Sequence, residues 1–313
     1  MVVGAGKDGI GKVYLYRSDD LLQWQYVGVA AESDGNMGDM WECPDLFPLS
    51  DKHVLIISPM NIDDKNMVLV GEMDYLSGRF THERRSKLDY GPDFYAAQTF
   101  LDGKGRRILM AWMSNWSSRM ISDTHERGWF GAMTLPRELT IGDDGKVLIR
   151  PVQELQLLRQ DYRVFGEVLL RPGEHEVLKD FREVSYELIA EIDYSDNTES
   201  FGFLLRCSED GREKTIVTYR VREKTLVVDR NCSGKTGDGG VSSAVLEGSG
   251  STIKLHIFVD ISSLEVFAND GEIVITNRIY PSPGSGLVQL FSKGGLVRFR
   301  RLEAWTLKNV CNS

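Results

Sequence analysis

The feature that most constrains the fold of this 313-residue chain is a series of short strand-like runs separated by tight-turn signals. The runs are rich in Val, Ile, Leu, Tyr and Met, and examples are residues 13–16, 54–57, 67–70 and 108–112. Asp-Gly pairs, which suit hairpin turns because glycine tolerates a positive φ, occur at residues 102–103, 144–145, 210–211 and 270–271. Many short strands with such turns are typical of sandwiches, barrels and propellers. The sequence therefore predicts an all-β protein.

Two β domains are predicted, because a prior of about 150 residues per domain gives two for this length. Residues 151–160 (PVQELQLLRQ) place good helix formers after a proline, which favours a short helix and a linker over residues 151–162. Residues 1–150 then form the first domain and residues 163–313 the second. The strands of the first domain have uneven spacing, so periodicity alone leaves a propeller possible without showing it.

The second domain has cleaner strand patterns. One strand face is shared by the apolar residues Val184, Tyr186, Leu188, Ala190, Ile192 and Tyr194, and another by Leu255, Ile257, Val259 and Ile261. Strands of period two bury one face and expose the other, as in antiparallel sandwich sheets. A hairpin turning at residues 269–271 follows, and the second domain is predicted to be a β-sandwich.

Composition narrows the classes of partner. With 42% hydrophobic and 27% charged residues, no apolar run approaches the about 18 residues of a membrane helix, so no membrane partner is predicted. The net charge of −9 and the scattered Lys and Arg residues argue against nucleic acid and leave a neutral substrate unopposed. The dispersed histidines and cysteines predict no metal site and no cofactor.

The cysteines Cys43, Cys207, Cys232 and Cys311 lie far apart, which favours free thiols over disulfides and, with no secretory signal in residues 1–6, favours the cytoplasm. Residues 6–12 (GKDGIGK) match a phosphate-binding loop except that Val13 replaces its final Ser or Thr. Such a loop requires a helix after it, whereas residues 13–16 look like a strand. A hairpin turn is predicted there instead.

Residues 41–47 (WECPDLF) are different in kind, because they set the carboxyl group of Glu42 between an indole, a thiol and a proline. Apolar surroundings raise the pKa of a carboxyl group and can make it a general acid near neutrality. An ordinary glutamate at the end of a strand is the alternative interpretation of the same residues.

Residues 41–46 (WECPDL) resemble the Glu-Cys motif of glycoside hydrolase family 32, which includes invertases, inulinases, levanases and sucrose-6-phosphate hydrolases. Further segments resemble family motifs in the same order: residues 89–100 (DYGPDFYAAQTF), 110–116 (MAWMSNW), 128–139 (GWFGAMTLPREL) and the sandwich hairpin between residues 258 and 281. The resemblance implies a five-bladed β-propeller followed by a β-sandwich. It also implies a retaining mechanism on a terminal β-linked fructosyl unit, with a β-fructoside sugar as the substrate.

The resemblance also implies roles for individual residues. Glu42 matches the general acid/base, Asp93 the residue that bonds the fructosyl hydroxyls, and Trp116 a pocket aromatic. Trp41 and Cys43 flank the acid/base and are assigned to the substrate site, with a structural role equally open for Cys43. Asp45 and Trp112 are expected to be structural.

Two family motifs are absent from this sequence: Asn-Asp-Pro, which carries the nucleophile, and Arg-Asp-Pro. Residues 1–6 resemble the strand that follows Arg-Asp-Pro, so the chain is expected to begin inside the third blade, as a partial propeller lacking the early blades. We expect this chain alone to hydrolyse sucrose negligibly and to self-associate through exposed propeller edges. A non-catalytic fructan-binding remnant and a fructosyltransferase are the alternative functions.

Overall fold

A computed structural model describes residues 1–114, 131–235, 239–246 and 250–310. The chain divides into two compact units, the first comprising Met1–Asp89, Phe94–Trp112 and Met133–Pro151, and the second comprising Tyr90–Asp93, Met113–Ala132 and Val152–Ser313. The regular secondary structure of the described residues is strand apart from two short 3-10 helices, so the all-β prediction is confirmed. None of the described helices has the length and apolar character needed to cross a bilayer.

Unit 1 contains three antiparallel sheets in which consecutive strands are neighbours. Its strands are β1 (Val2–Lys7), β2 (Ile10–Arg17), β3 (Gln25–Glu32), β4 (Trp41–Leu49), β5 (Lys52–Pro59), β6 (Met67–Asp74), β7 (Arg79–Lys87), β8 (Tyr95–Leu101), β9 (Arg107–Trp112), β10 (Arg137–Ile141) and β11 (Val147–Pro151). The sheets are β1–β3, β4–β7 and β8–β11. Such up-and-down sheets are typical of propeller blades, and the predicted propeller-type architecture is confirmed.

The glycine-rich segment at residues 6–12 forms the turn and flanks of the β1–β2 hairpin, which confirms the rejection of a phosphate loop. Asp8 and Gly9 have φ values of 58° and 73°, as a tight two-residue hairpin turn requires. At Gly11 a glycine is required for a different reason. A Cβ atom there would lie 2.4 Å from Cδ1 of Trp41, so the indole occupies the space that a side chain would need.

Unit 2 is the predicted sandwich. Its strands are β12 (Arg159–Val164), β13 (Val168–Leu170), β14 (His175–Arg182), β15 (Tyr186–Tyr194), β16 (Ser200–Cys207), β17 (Lys214–Arg220), β18 (Thr225–Cys232), β19 (Val241–Val245), β20 (Thr252–Asp260), β21 (Ser263–Ala268), β22 (Ile273–Arg278), β23 (Leu287–Lys293) and β24 (Val297–Leu307). One sheet has the order β12-β24-β15-β20-β21-β22 with β13 also on β24, and the other has the order β14-β23-β16-β17-β18-β19. The inner faces of both sheets supply one apolar core.

The sandwich strands follow the predicted pattern with local exceptions. Leu188, Ala190 and Ile192 are fully buried, as are their counterparts on β20. Ile261, predicted to continue the buried face of β20, is 64% exposed because the strand ends at Asp260 and the chain turns there. The helical stretch predicted near residues 151–160 is a 3-10 helix, Gln153–Leu158, and a second 3-10 turn, Asn269–Gly271, forms the hairpin. The domain limits 1–150, 151–162 and 163–313 stay a prediction.

Candidate active site

Glu42 lies at the start of β4, beside a β-bulge. The pairing register of β4 with β5 shifts between Glu42 and Asp45, and Cys43 within the bulge has φ of 49°. A bulge inserts an unpaired residue and redirects the neighbouring side chains, and bulges are frequent next to active sites. The local backbone therefore turns Glu42 away from the regular alternation of the strand.

A second bulge, in β8, faces the first. The register of β8 with β9 shifts between Tyr95 and Gln98, and Ala96 has φ of 54°. The amide Nε2 of Gln98 donates to the carbonyl oxygen of Cys43 at 2.8 Å. One side-chain amide thus ties the irregular part of β8 to the irregular part of β4.

Asp45 completes this connection between the two strands. Its Oδ2 accepts hydrogen bonds from the backbone N of Thr99 at 2.7 Å and from Thr99 Oγ1 at 2.6 Å. One donor is a backbone amide and the other a hydroxyl, and both belong to β8, so Oδ2 of this carboxylate links β4 to β8. That Asp45 is structural stays a prediction, and these two hydrogen bonds favour it.

The carboxyl group of Glu42 is partly exposed and accepts a short hydrogen bond from the phenol of Tyr95 at Oε2. The Tyr95 oxygen also lies 3.2 Å from the sulfur of Met60. Burial, and then the hydrogen bond to Glu42, raise the pKa of Tyr95 well above its ordinary value. The phenol therefore stays protonated and remains a donor to Glu42 at physiological pH.

Cys43 is half-buried and is a free thiol, as are Cys207 and Cys232 among the described residues. Burial, followed by the negative charge of Glu42, raises the pKa of the Cys43 thiol. The thiol is accordingly neutral near pH 7 and adds no second negative charge next to Glu42.

Trp41 is fully buried, and its Nε1 donates to the carbonyl oxygen of Met37 at 2.6 Å. The indole belongs to an apolar cluster with Val13, Leu55 and Leu69. Its side chain is not exposed in this structure. The assignment of Trp41 to the substrate site stays a prediction.

Asp93 is also buried, at 1% exposure, and lies in unit 2. Its Oδ2 accepts from Nη1 of Arg230 at 2.8 Å and from the backbone N of Arg278 at 2.7 Å. The guanidinium therefore offsets the charge of the buried carboxylate. Its predicted contact with fructosyl hydroxyls stays a prediction, and Trp116 lies outside the described residues.

Tyr95 and Gln98 were missed as functional candidates by reasoning from sequence alone. Both stand in the segment of residues 89–100, yet nothing in strand periodicity marks a phenol that reaches a carboxylate 53 positions away. Across the described ranges, no group of three or more His, Cys, Asp or Glu residues is placed to hold a metal ion. The described site thus offers a partly exposed carboxyl group that is hydrogen-bonded to a phenol.

Comparisons with known proteins cover almost the whole chain. A model described as the glycosyl hydrolases family 32 N-terminal domain matches residues 1–151, and one described as the family 32 C-terminal domain matches residues 154–306. Sucrose-6-phosphate hydrolase of Zymomonas mobilis is 36% identical, over 99% of this chain and 64% of the relative. Levanase of Bacillus subtilis is 34% identical, over 99% of this chain and 48% of the relative.

Solved structures agree on the fold. A family 32 β-fructofuranosidase of Bombyx mori has a TM-score of 0.81 at 31% identity, over 98% of this chain and 63% of that one. Fructan 1-exohydrolase IIa of Cichorium intybus has a TM-score of 0.87 at 23% identity, over 98% and 69%, and shows likeness of fold. The chain spans less than two thirds of the length of the curated relatives described here. From its two matching domains, this chain belongs to glycosyl hydrolase family 32.

Proposed function

We propose that Glu42 is the general acid/base of a retaining β-fructofuranosidase, and that this chain supplies the proton-transfer half of the site in the whole protein. The hydrogen bond between Tyr95 and Glu42 carries the proposal, because it orients a partly exposed carboxyl group inside two facing bulges. The names of the relatives, which include sucrose-6-phosphate hydrolase and levanase, support a β-fructoside substrate.

In this proposal Oε2 of Glu42 is occupied by the Tyr95 hydrogen bond, so the transferable proton is held at Oε1. Glu42 protonates the oxygen of the leaving group, then removes a proton from water as the fructosyl intermediate is hydrolysed. The protonated phenol remains a donor in both steps and keeps the carboxyl group in one orientation. Trp41 and the neutral Cys43 thiol support that geometry, and a direct sugar contact by Cys43 stays a prediction.

Fragment complementation tests the proposal. The chain is co-expressed with the part of the Zymomonas mobilis relative that it does not match, and fructose release is measured with sucrose, sucrose 6-phosphate, levan and inulin. We expect release only when both pieces are present, and a loss of about 10²–10⁴-fold in Glu42→Gln. Glu72→Gln is the control, because Glu72 is an exposed partner of Lys52. Undiminished activity of Glu42→Gln would refute the assignment.

The same preparations separate the alternative functions. Transfer of fructose to a sugar acceptor yields oligosaccharides, whereas hydrolysis yields free fructose, so product analysis distinguishes a fructosyltransferase. A fructan-binding remnant would bind levan or inulin in the chain alone, and Glu42→Gln would leave that binding intact. Measurable fructose release by the unsupplemented chain would contradict the predicted lack of activity.

We propose that the chain, when no complementary segment is present, self-associates by strand pairing at the edge of β3. β3 and β7 are two of the terminal strands of the unit 1 sheets, as are β1, β4, β8 and β11. β7 is rich in charged residues, which oppose strand addition, whereas Tyr26 and Val27 of β3 are 51% and 42% exposed. Sedimentation should show association that Val27→Lys reduces, and a monomer at all concentrations would contradict this.

A further inference from the structure

Ser58, on β5, places a hydroxyl group in the interior of unit 1. The residue is 1% exposed, and across the described part of the chain no donor or acceptor lies within hydrogen-bond distance of its Oγ. A buried hydroxyl that has lost its bonds to water without gaining others costs free energy, so such groups are uncommon in native structures. Packing alone therefore does not account for a serine at this position.

Ser58 lies directly across the sheet from Glu42. The two residues are register partners on β5 and β4, and the register shift of the bulge begins only after this pair. Directly opposed residues of antiparallel strands have Cβ atoms about 4.5–5.5 Å apart. The serine oxygen is bonded to its Cβ, and the glutamate carboxyl group extends well beyond its own. The hydroxyl group and the carboxyl group can therefore come within hydrogen-bond distance.

The hydrogen bond from Tyr95 holds the carboxyl group of Glu42 next to the same face of β5. The Tyr95 oxygen that donates to Glu42 also lies 3.2 Å from the sulfur of Met60. Met60 follows Ser58 by two positions and continues the pairing with β4, because its backbone N donates to the carbonyl oxygen of Met40 at 2.8 Å. Residues two positions apart share one face of a strand. The phenol that orients the carboxyl group is therefore anchored on the face that carries Ser58.

The second oxygen of this carboxyl group, Oε1, is open. Among the described residues, the hydrogen bond from Tyr95 at Oε2 is the one that the Glu42 side chain accepts. An ionised carboxylate accepts at both oxygens, and a serine hydroxyl can turn to donate to either. We propose that Ser58 is the second hydrogen-bond donor to Glu42, and that its hydroxyl turns to Oε1 when the carboxyl group is ionised. An unbonded donor and an open acceptor on opposed residues are thereby paired.

The consequence for catalysis rests on the proposed role of Glu42, whereas the hydrogen bond itself does not. When Glu42 gives its proton to the oxygen of the leaving group, the O–H bond at Oε1 breaks and its electron pair stays on the carboxylate. Ser58 then donates to Oε1 and keeps its own proton until Glu42 takes a proton from water. Ser58 is a positioning residue in this scheme, because it contacts the carboxylate and not the sugar.

The test is an NMR titration of the 313-residue chain with isotope-labelled glutamate carboxyl carbons, in which the Glu42 signal is identified by its loss in Glu42→Gln. In Ser58→Ala the titration midpoint of this signal should rise by about 1 pH unit, because a donor to the charged form is removed. Ser58→Thr keeps the hydroxyl and should restore most of the wild-type midpoint. Burial raises the pKa of Tyr95 on β8 and of Cys43 on β4, so neither neighbour ionises in the range of a carboxyl titration.

Thr134→Val is the matched control, because it removes another buried hydroxyl of unit 1 at nearly constant volume. Thr134 is 2% exposed, and its Oγ1 accepts from the backbone N of Ala111 at 3.1 Å. The control should leave the Glu42 midpoint unchanged. Urea denaturation at pH 7 gives a second readout: Ser58→Ala should lower the midpoint urea concentration in the wild-type background, and should not lower it in Glu42→Ala, where the hydroxyl has no carboxylate to meet.

An unchanged Glu42 titration in Ser58→Ala would overturn the proposal, and so would an equal rise in Thr134→Val. A gain in urea resistance from Ser58→Ala in both backgrounds would overturn it as well, because removal of a buried hydroxyl without any partner has that effect. If Ser58→Thr does not fold, Ser58→Ala and the control decide the question. Neither readout involves fructose release, so a failure of the proposed catalytic role of Glu42 would not be mistaken for a failure of the Ser58 contact.

Discussion

Replacing Gly11 by alanine tests how tightly the core of unit 1 packs around Trp41, the residue before Glu42. The added methyl group would lie 2.4 Å from Cδ1, 2.6 Å from Nε1 and 2.9 Å from Cγ of Trp41. Ordinary contact begins at 3.4 Å, so the indole or β2 must move by about 1 Å. The indole is fully buried and its Nε1 is bonded to Met37, so little free space is available for that movement.

The expected cost is that of overpacking a filled core, about 1–3 kcal/mol of unfolding free energy. The backbone contributes little to this cost, because φ of Gly11 lies outside the left-handed region. Gly28→Ala is a matched control within the same sheet: φ is again ordinary, and no atom lies within 4 Å of the new methyl group. That control should be neutral or more stable by about 0.4–1 kcal/mol, because alanine restricts the unfolded chain.

Urea denaturation gives the two unfolding free energies, and the indole N–H resonance of Trp41 reports on the local movement. Gly11→Ala should lower the unfolding free energy and shift that resonance, and Gly28→Ala should do neither. Equal stabilities for the two variants, with the Trp41 resonance unmoved, would refute the view that the indole occupies the space required by a side chain.

Two further predictions concern buried charges. Burial favours a raised pKa for Glu187, but hydrogen bonds from a guanidinium and an imidazole outweigh it and lower the pKa below 4.5. The ionised form of Glu187 therefore stabilises the fold above pH 4.5, and this stabilisation is lost as pH falls through the folded-state pKa. In Glu187→Gln the unfolding free energy should fall less steeply as the pH is lowered. Arg137→Met should cost about 3–5 kcal/mol in urea denaturation, because it removes a fully buried guanidinium that donates to the equally buried carboxylate of Asp89. As a control, removing Arg212 from its exposed pair with Asp210 should leave the unfolding free energy almost unchanged, because water screens that pair.

The sequence determined the all-β class, because strand alternation and hairpin turns depend on residues that are neighbours in the chain. The Asp8-Gly9 turn and the hairpin at residues 269–271 need only local φ preferences, and both appear where predicted. Glu42 was also identifiable, because its segment resembles a family motif. Where local pattern failed, as at Ile261, the strand ended before its alternation did.

Only the tertiary structure decided which partners the polar residues of these segments have. Tyr95 meets Glu42 across 53 positions, and Asp93 meets Arg230 and Arg278 across 137 and 185 positions. Hydrogen bonds of this kind depend on which strands become neighbours and on bulges that break the regular alternation. Strand periodicity records which face of a strand is apolar, but it carries no information about which distant side chain a polar group will meet.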